Sequence, residues 1–259
     1  MDDDLLDFAV ETVESTVESL KENIRSSLEI EYKSKFDLVT EIDREVENEI
    51  IEAVQREFPG HDIIAEETST DIEGSDHIWY IDPISGSTNY AHNLPVYGIS
   101  LALRVKEKIE IAVVYNSVED KIFSAKRGYG ANVEGKEISV SEIERIERSI
   151  VSTSFPYDES GRNRNLEYFD KIAPKVEGIR RTGSVAVDFS YLSLGVLDGF
   201  WAVGLKSWDT AAGSLLVEES GGKVSRIDGK DHELEAETIL VSNGKIHEDM
   251  IELLSERDI

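Results

Sequence analysis

Between Ile63 and Ser124 the chain is a succession of short apolar runs of strand length separated by polar or turn-forming segments, and helix-length patterns flank it on both sides. That alternation restricts the fold to layers of sheet and helix. Leu6, Val10, Val13, Val17 and Leu20 recur at spacings of three and four and predict an opening amphipathic helix. A second helix is expected over about Asp43 to Glu57, stopped by Pro59-Gly60. Strands are expected at Ile63 to Ala65, Ile78 to Ile81, Ile99 to Val105, Ile109 to Tyr115 and Lys121 to Ser124, with a hairpin at Val105 to Ile109.

A charged stretch from Ile138 to Ser149, without Gly or Pro, is the best candidate boundary, dividing the 259 residues into 1–148 and 149–259. Beyond it the pattern predicts a strand at Ser149 to Thr153, a helix near Leu166 to Ile172 and a long apolar helix from Ser184 to Leu197. A helix at Asp209 to Ser220 ended by Gly221-Gly222, strands near Lys223 to Ile227 and Thr238 to Ser242, and a helix at His247 to Leu254 complete the reading. Both halves mix strands with helices and no linker separates them, so an α/β (α+β) architecture with closely packed halves is expected.

Composition narrows the chemistry. With 54 Asp+Glu against 27 Lys+Arg, the formal net charge is −27. Nucleic acid as a partner is excluded for want of a basic footprint, and an anionic membrane is disfavoured for the same reason. The acidic start Met1-Asp2-Asp3-Asp4 and the absence of an apolar run of spanning length point to a cytoplasmic protein. Such acidity fits a high-salt solvent, where cations screen the self-repulsion, or an ordinary acidic enzyme; the size of the imbalance favours the halophilic reading. Zero cysteines and five His leave carboxylates and hydroxyls as the main chemical resource.

Four clusters stand out. Asp82-Pro83-Ile84-Ser85-Gly86-Ser87-Thr88-Asn89 places a carboxylate at a strand end that Pro83 terminates, then a turn rich in hydroxyls and free amides. If a helix starts there, its N–H groups cradle phosphate; the alternative is a purely structural turn. Glu66-Glu67 follow a short strand and are either ligands or solvated acids. Asp209 in Trp208-Asp209-Thr210-Ala211-Ala212-Gly213, and Asp43 after Asp37-Leu38-Val39-Thr40, open helices and are either functional or caps.

Together, in this order, the clusters resemble the inositol monophosphatase-like superfamily of metal-dependent sugar phosphatases, archaeal inositol monophosphatase/fructose-1,6-bisphosphatase type included. Asp82 to Asn89 is similar to that family's Asp-Pro-Ile-Asp-Gly-Thr-Thr-Asn signature, and Trp208 to Gly213 to its Trp-Asp-x-Ala-Ala-Gly signature. Arg127-Gly128-Tyr129-Gly130-Ala131 and Arg181-Thr182-Gly183-Ser184 add supporting matches. The resemblance implies a layered αβαβα sandwich, a homodimer, and Mg²⁺-dependent hydrolysis of a small phosphate ester such as inositol monophosphate or fructose 1,6-bisphosphate by direct attack of water. It also implies metal ligands at Glu66, Asp82, Asp209 and the carbonyl of Ile84, in two or three sites. Asp43, Glu66 and Ser87 would serve catalysis. Ser85, Gly86, Ser87, Thr88, Arg181, Ser184 and Lys206 would bind phosphate or substrate, with Arg180 a further candidate; Ala202 stands where inositol-selective relatives carry a Glu.

One position departs from the signature. Ser85 occupies the place of a second Asp, and a neutral hydroxyl is a weak ligand for a hard dication. The second metal site is therefore expected to be weakened. The alternative outcome is an impaired pseudoenzyme that binds phosphate or metal in a regulatory role.

Overall fold

The computed structural model describes residues 2–22, 30–33, 38–68 and 72–255. Asp37 of the motif around Thr40 therefore lies outside the described residues. Helices α1 (Asp2–Glu22) and α2 (Glu41–Glu57) flank a small antiparallel pair, β1 (Ile30–Tyr32) and β2 (Leu38–Thr40). Next come β3 (Asp62–Ala65), β4 (His77–Ser85), α3 (Ser87–Ala91), β5 (Gly98–Val105), β6 (Lys108–Asn116), β7 (Lys121–Lys126), β8 (Ala131–Val133) and β9 (Lys136–Glu137). The later segment supplies β10 (Ile150–Ser154), α4 (Glu159–Ile172), β11 (Gly178–Arg180), α5 (Val185–Ser193) and β12 (Gly199–Val203). It ends with α6 (Ser207–Glu219), β13 (Lys223–Ser225), β14 (Thr238–Ser242) and α7 (His247–Ser255).

Strands β3 to β9 form a seven-stranded sheet in sequence order, parallel only between β3 and β4. A five-stranded sheet runs β11-β10-β12-β14-β13, parallel across its first three strands and antiparallel after. One face of the larger sheet, through Trp79, Ile81, Ile99 and Leu101, packs on the apolar stripes of α1 and α2. Its other face, through Ala102, Ala112, Val114 and Phe123, packs on Ala211, Ala212, Leu215 and Leu216 of α6. The second sheet meets α5 and α6 through Phe200 and Val241, and its far face, with Trp201 and Leu240, carries α4 and α7. The layers thus read αβαβα, and α5–α6 belong to the cores on both sides of them. A chain buried on both sheet faces needs near-continuous apolar strands, as Ile78 to Ile81 is.

Three expectations shift. Strand β4 continues past Pro83 to Ser85, because the pairing with β5 is irregular between Asp82 and Ser85 and no ladder amide is required there. The long helix from Ser184 ends at Ser193, since Gly195 turns the chain at φ +74°. The helix near Leu166 begins earlier, at Glu159, where the carboxylate of Asp158 accepts the Gly161 N–H at 2.7 Å. Helix α6 stops as the glycines foretold: Gly221 at φ +91° and Gly222 donate to Glu218 O and Val217 O.

Candidate active site

A cleft of about 530 Å³ opens where β4, α3, the start of α5 and the start of α6 converge. Glu66, Asp82, Ile84, Ser85, Gly86, Ser87, Thr88, Arg181, Lys206 and Asp209 all line it, so residues 143 positions apart in sequence meet there. Asp43 and Ser184 are not among its lining residues. Ser184 is buried as the N-cap of α5, accepting Val187 N–H at 3.3 Å, and Arg180 is exposed on β11.

Each carboxylate is delivered by a definable device. Asp82 rides on β4, which is buried at every position after His77, and is 1% exposed. Glu66 is set one residue beyond β3, the strand parallel to β4. Asp43 and Asp209 share a device: each is the third residue of a helix and folds its carboxylate back onto the N–H of the residue preceding the helix. Thr40 N donates to Asp43 Oδ2 at 2.8 Å, and Lys206 N donates to Asp209 Oδ2 at 2.7 Å. The capping role weighed for both residues is therefore real, and in Asp209 it coexists with a place in the cleft.

These acids repel one another. Burial, and then the charge of Asp209, pushes Glu66 up to about 8; burial, and then Glu66 and Asp209, raises Asp82 well above the ordinary carboxylate range. Asp43 Oδ1 and Asp82 Oδ1 are buried without a hydrogen-bond partner among the described residues. Such orphaned, mutually repelling oxygens are what a bound cation would satisfy, and the all-oxygen donor set suits Mg²⁺ or a similarly hard ion. No three acidic or His side chains among the described residues are gathered into a ready cage, so a ligand set would draw together around the ion and add the Ile84 carbonyl. Lys33, which the sequence reading missed, brings its own positive charge: its Nζ pairs with Glu67 and lies 3.6 Å from Glu66 Oε1. Glu67 N in turn donates to the buried Glu47 at 2.7 Å.

The phosphate-cradle turn is tightly specified. Gly86 has φ +102°, and a Cβ there would meet Gly183 O at 3.1 Å and Val96 O at 3.2 Å, so conformation and space both demand glycine. Ser87 Oγ donates to the carbonyl of Ile84 at 3.0 Å. Asn89 Nδ2 donates to Val96 O at 2.7 Å and Thr182 O at 3.0 Å, tying α3 to the loop that carries Arg181. Ser85 is 5% exposed and its hydroxyl accepts Ala186 N–H at 3.1 Å.

The family model for the inositol monophosphatase family matches residues 1–258. The chain belongs to that family. It is 37% identical over 219 residues to the Nus factor SuhB of Pseudomonas aeruginosa, covering 82% of this chain and 81% of that one. It is 38% identical over 222 residues to the inositol-1-monophosphatase of Synechocystis, covering 85% and 77%. Among solved structures, the SuhB protein of Bartonella henselae superposes with a TM-score of 0.93 at 31% identity, over 98% of this chain and 99% of that one. The IMPase of Thermotoga maritima gives 0.89 at 31% identity, over 97% and 96%. This inositol monophosphatase family member is a phosphoric monoester hydrolase by its relatives. Among the described residues no helix is long and apolar enough to cross a membrane.

Proposed function

We propose that this family member is a Mg²⁺-dependent phosphatase acting on small polyol or sugar phosphate monoesters, inositol monophosphate and fructose 1,6-bisphosphate being the first candidates. The observation that carries the reading is the meeting of Glu66, Asp82 and Asp209 beside the Gly86-Ser87-Thr88 turn, with buried Asp82 Oδ1 lacking a partner. Glu66, Asp82, Asp209 and the Ile84 carbonyl would hold the cation, which when bound supplies positive charge to the phosphate and acidifies the attacking water. The amides at the start of α3 have no acceptor within their own helix and face the ester's phosphate oxygens. Glu66, at the cleft beside Asp209, would be ionised once the cation is bound and would then receive a proton from water as attack proceeds. The Ser87 hydroxyl, fixed by its bond to Ile84 O, would orient that water, and Asp43, buried and off the cleft lining, would act on it only through another group. Arg181 and Lys206 at the cleft edge meet the rest of the substrate.

Ser85 sharpens the proposal. Its neutral hydroxyl already accepts the Ala186 N–H, so it offers little to a second cation, and that site is weak. Phosphate release from inositol 1-phosphate and fructose 1,6-bisphosphate, with Mg²⁺ titrated, is the test. Activity that saturates only at high Mg²⁺, falls in Asp82→Asn and saturates earlier in Ser85→Asp is expected. If wild type releases no more phosphate than Asp82→Asn while Ser85→Asp is active, the impaired, regulatory reading replaces this one. The same proposal includes a homodimer in the cytoplasm, checked by sedimentation, and a high-salt solvent, checked by melting in KCl.

A further inference from the structure

Helix α6 has a second concavity along its length. A cavity of about 520 Å³ lies against Ser214 and Leu215 of α6, the β5–β6 hairpin and the segment between β13 and β14, and it shares no lining residue with the catalytic cleft. Its floor is Tyr80, Ile109, Ser214 and Leu215, all buried. Arg104, from β5, sets its guanidinium 6.0 Å from the centre of the Tyr80 ring.

The polar groups here are without partners to an unusual degree. Arg104 Nε, Ser214 Oγ and both ring nitrogens of His232 are buried and make no hydrogen bond among the described residues. Arg104 is in no ion pair among them either, although the molecule carries twice as many acids as bases. Native interiors satisfy nearly all such groups, so four orphaned atoms lining one cavity mark a place for a ligand that supplies acceptors and a donor. Burial holds His232 neutral, its proton affinity lowered to about 4, and so able to donate from one nitrogen and accept at the other.

The mouth has the opposite character from the floor. Glu107, Asp231, Glu233 and Glu235 are exposed around it against a single exposed lysine of the lining, Lys108, while Arg127 is occupied with Glu218 at 3.1 Å and with the Ile109 carbonyl at 2.7 Å. A simple anion would have to pass that acidic rim. A molecule with a carboxylate at one end and an ammonium at the other suits both: the planar fork of Arg104 takes the carboxylate and the rim takes the ammonium. We propose that this cavity is a second ligand site, for a small zwitterion bound with its carboxylate on Arg104 and its ammonium at the acidic mouth.

Titration calorimetry in Mg²⁺-free, low-salt buffer tests it, with carboxylate–ammonium compounds of increasing length from glycine through β-alanine to L-lysine. Acetate and butylamine serve as the single-ended controls. At least one zwitterion is expected to bind saturably, and both controls at least about tenfold more weakly. Arg104→Gln should weaken that zwitterion about tenfold or more, Arg104→Lys by less, and Asp82→Asn in the cleft not at all. His232→Ala, on a loop, carries the test if Arg104→Gln does not fold, and should also weaken binding. The proposal is overturned if no zwitterion saturates, if acetate binds as tightly, if the folded Arg104 or His232 variant binds like wild type, or if Asp82→Asn abolishes binding.

Discussion

The cleft acids and His247 are two buried polar clusters built on opposite terms. Asp82 leaves one carboxylate oxygen buried and unpartnered, and burial together with the charges of Glu66 and Asp209 raises its proton affinity. His247, on the far layer, is wholly buried and bonded at both nitrogens, to Ser225 Oγ and Ser242 Oγ at 2.8 Å each. Ser225 gives its one hydroxyl proton to Arg226 O at 2.7 Å, so His247 must donate from Nε2 and accept at Nδ1. The difference separates a cluster that opposes folding until something binds from one that serves only folding.

That contrast is open to attack at several scales. The largest effect is expected from Asp82→Asn: activity falls about 100-fold or more, while the metal-free melting temperature stays level or rises because one buried repulsion is gone. Mg²⁺ should raise the melting temperature of wild type and leave that variant unmoved. A drop in its metal-free stability would break the comparison. His247→Ala should do the reverse, costing about 2–4 kcal/mol in a denaturant titration by opening a cavity and leaving the Ser242 hydroxyl proton without its acceptor, with kcat and KM at saturating Mg²⁺ retained.

A subtler difference is expected in pH dependence. Burial lowers His247 from its ordinary value of 6.5 to about 4, so the unfolded chain binds the extra proton first as pH falls. Its contribution to stability is full above 6.5 and is lost progressively toward pH 4; His247→Gln should flatten that part of the stability profile, measured in EDTA. Smallest is Arg181→Gln, at the exposed edge of the cleft, where KM should rise up to about tenfold with kcat little changed.

The sequence pattern carried the mixed α/β class because strand-length and helix-length apolar runs differ in period, whereas the layer order and the cleft acids came from the family resemblance that the motifs around Asp82 and Asp209 carry. What it could not carry is contact at long range. Ser85 read as a missing ligand; that its hydroxyl receives the Ala186 N–H, 101 residues away, has no local signal. Lys33 sits in a stretch without periodicity, and nothing nearby ties it to Glu67. Asp43 was legible as an acid at a helix start, but its full burial is set by the tertiary fold and has no local signal. The overlong helix after Ser184 came from reading apolar character through Gly195, where backbone conformation outweighs hydrophobicity.

Helix α6 bears on more than ligand geometry. Gly213 lets it approach α5 so closely that a Cβ there would meet Phe189 Cγ at 2.5 Å, and Ala211, Ala212 and Leu215 are sealed between the two sheets. Amides so enclosed exchange with solvent only when the whole molecule opens. Asp209 is thus mounted at the wet end of what should be a slowly exchanging segment.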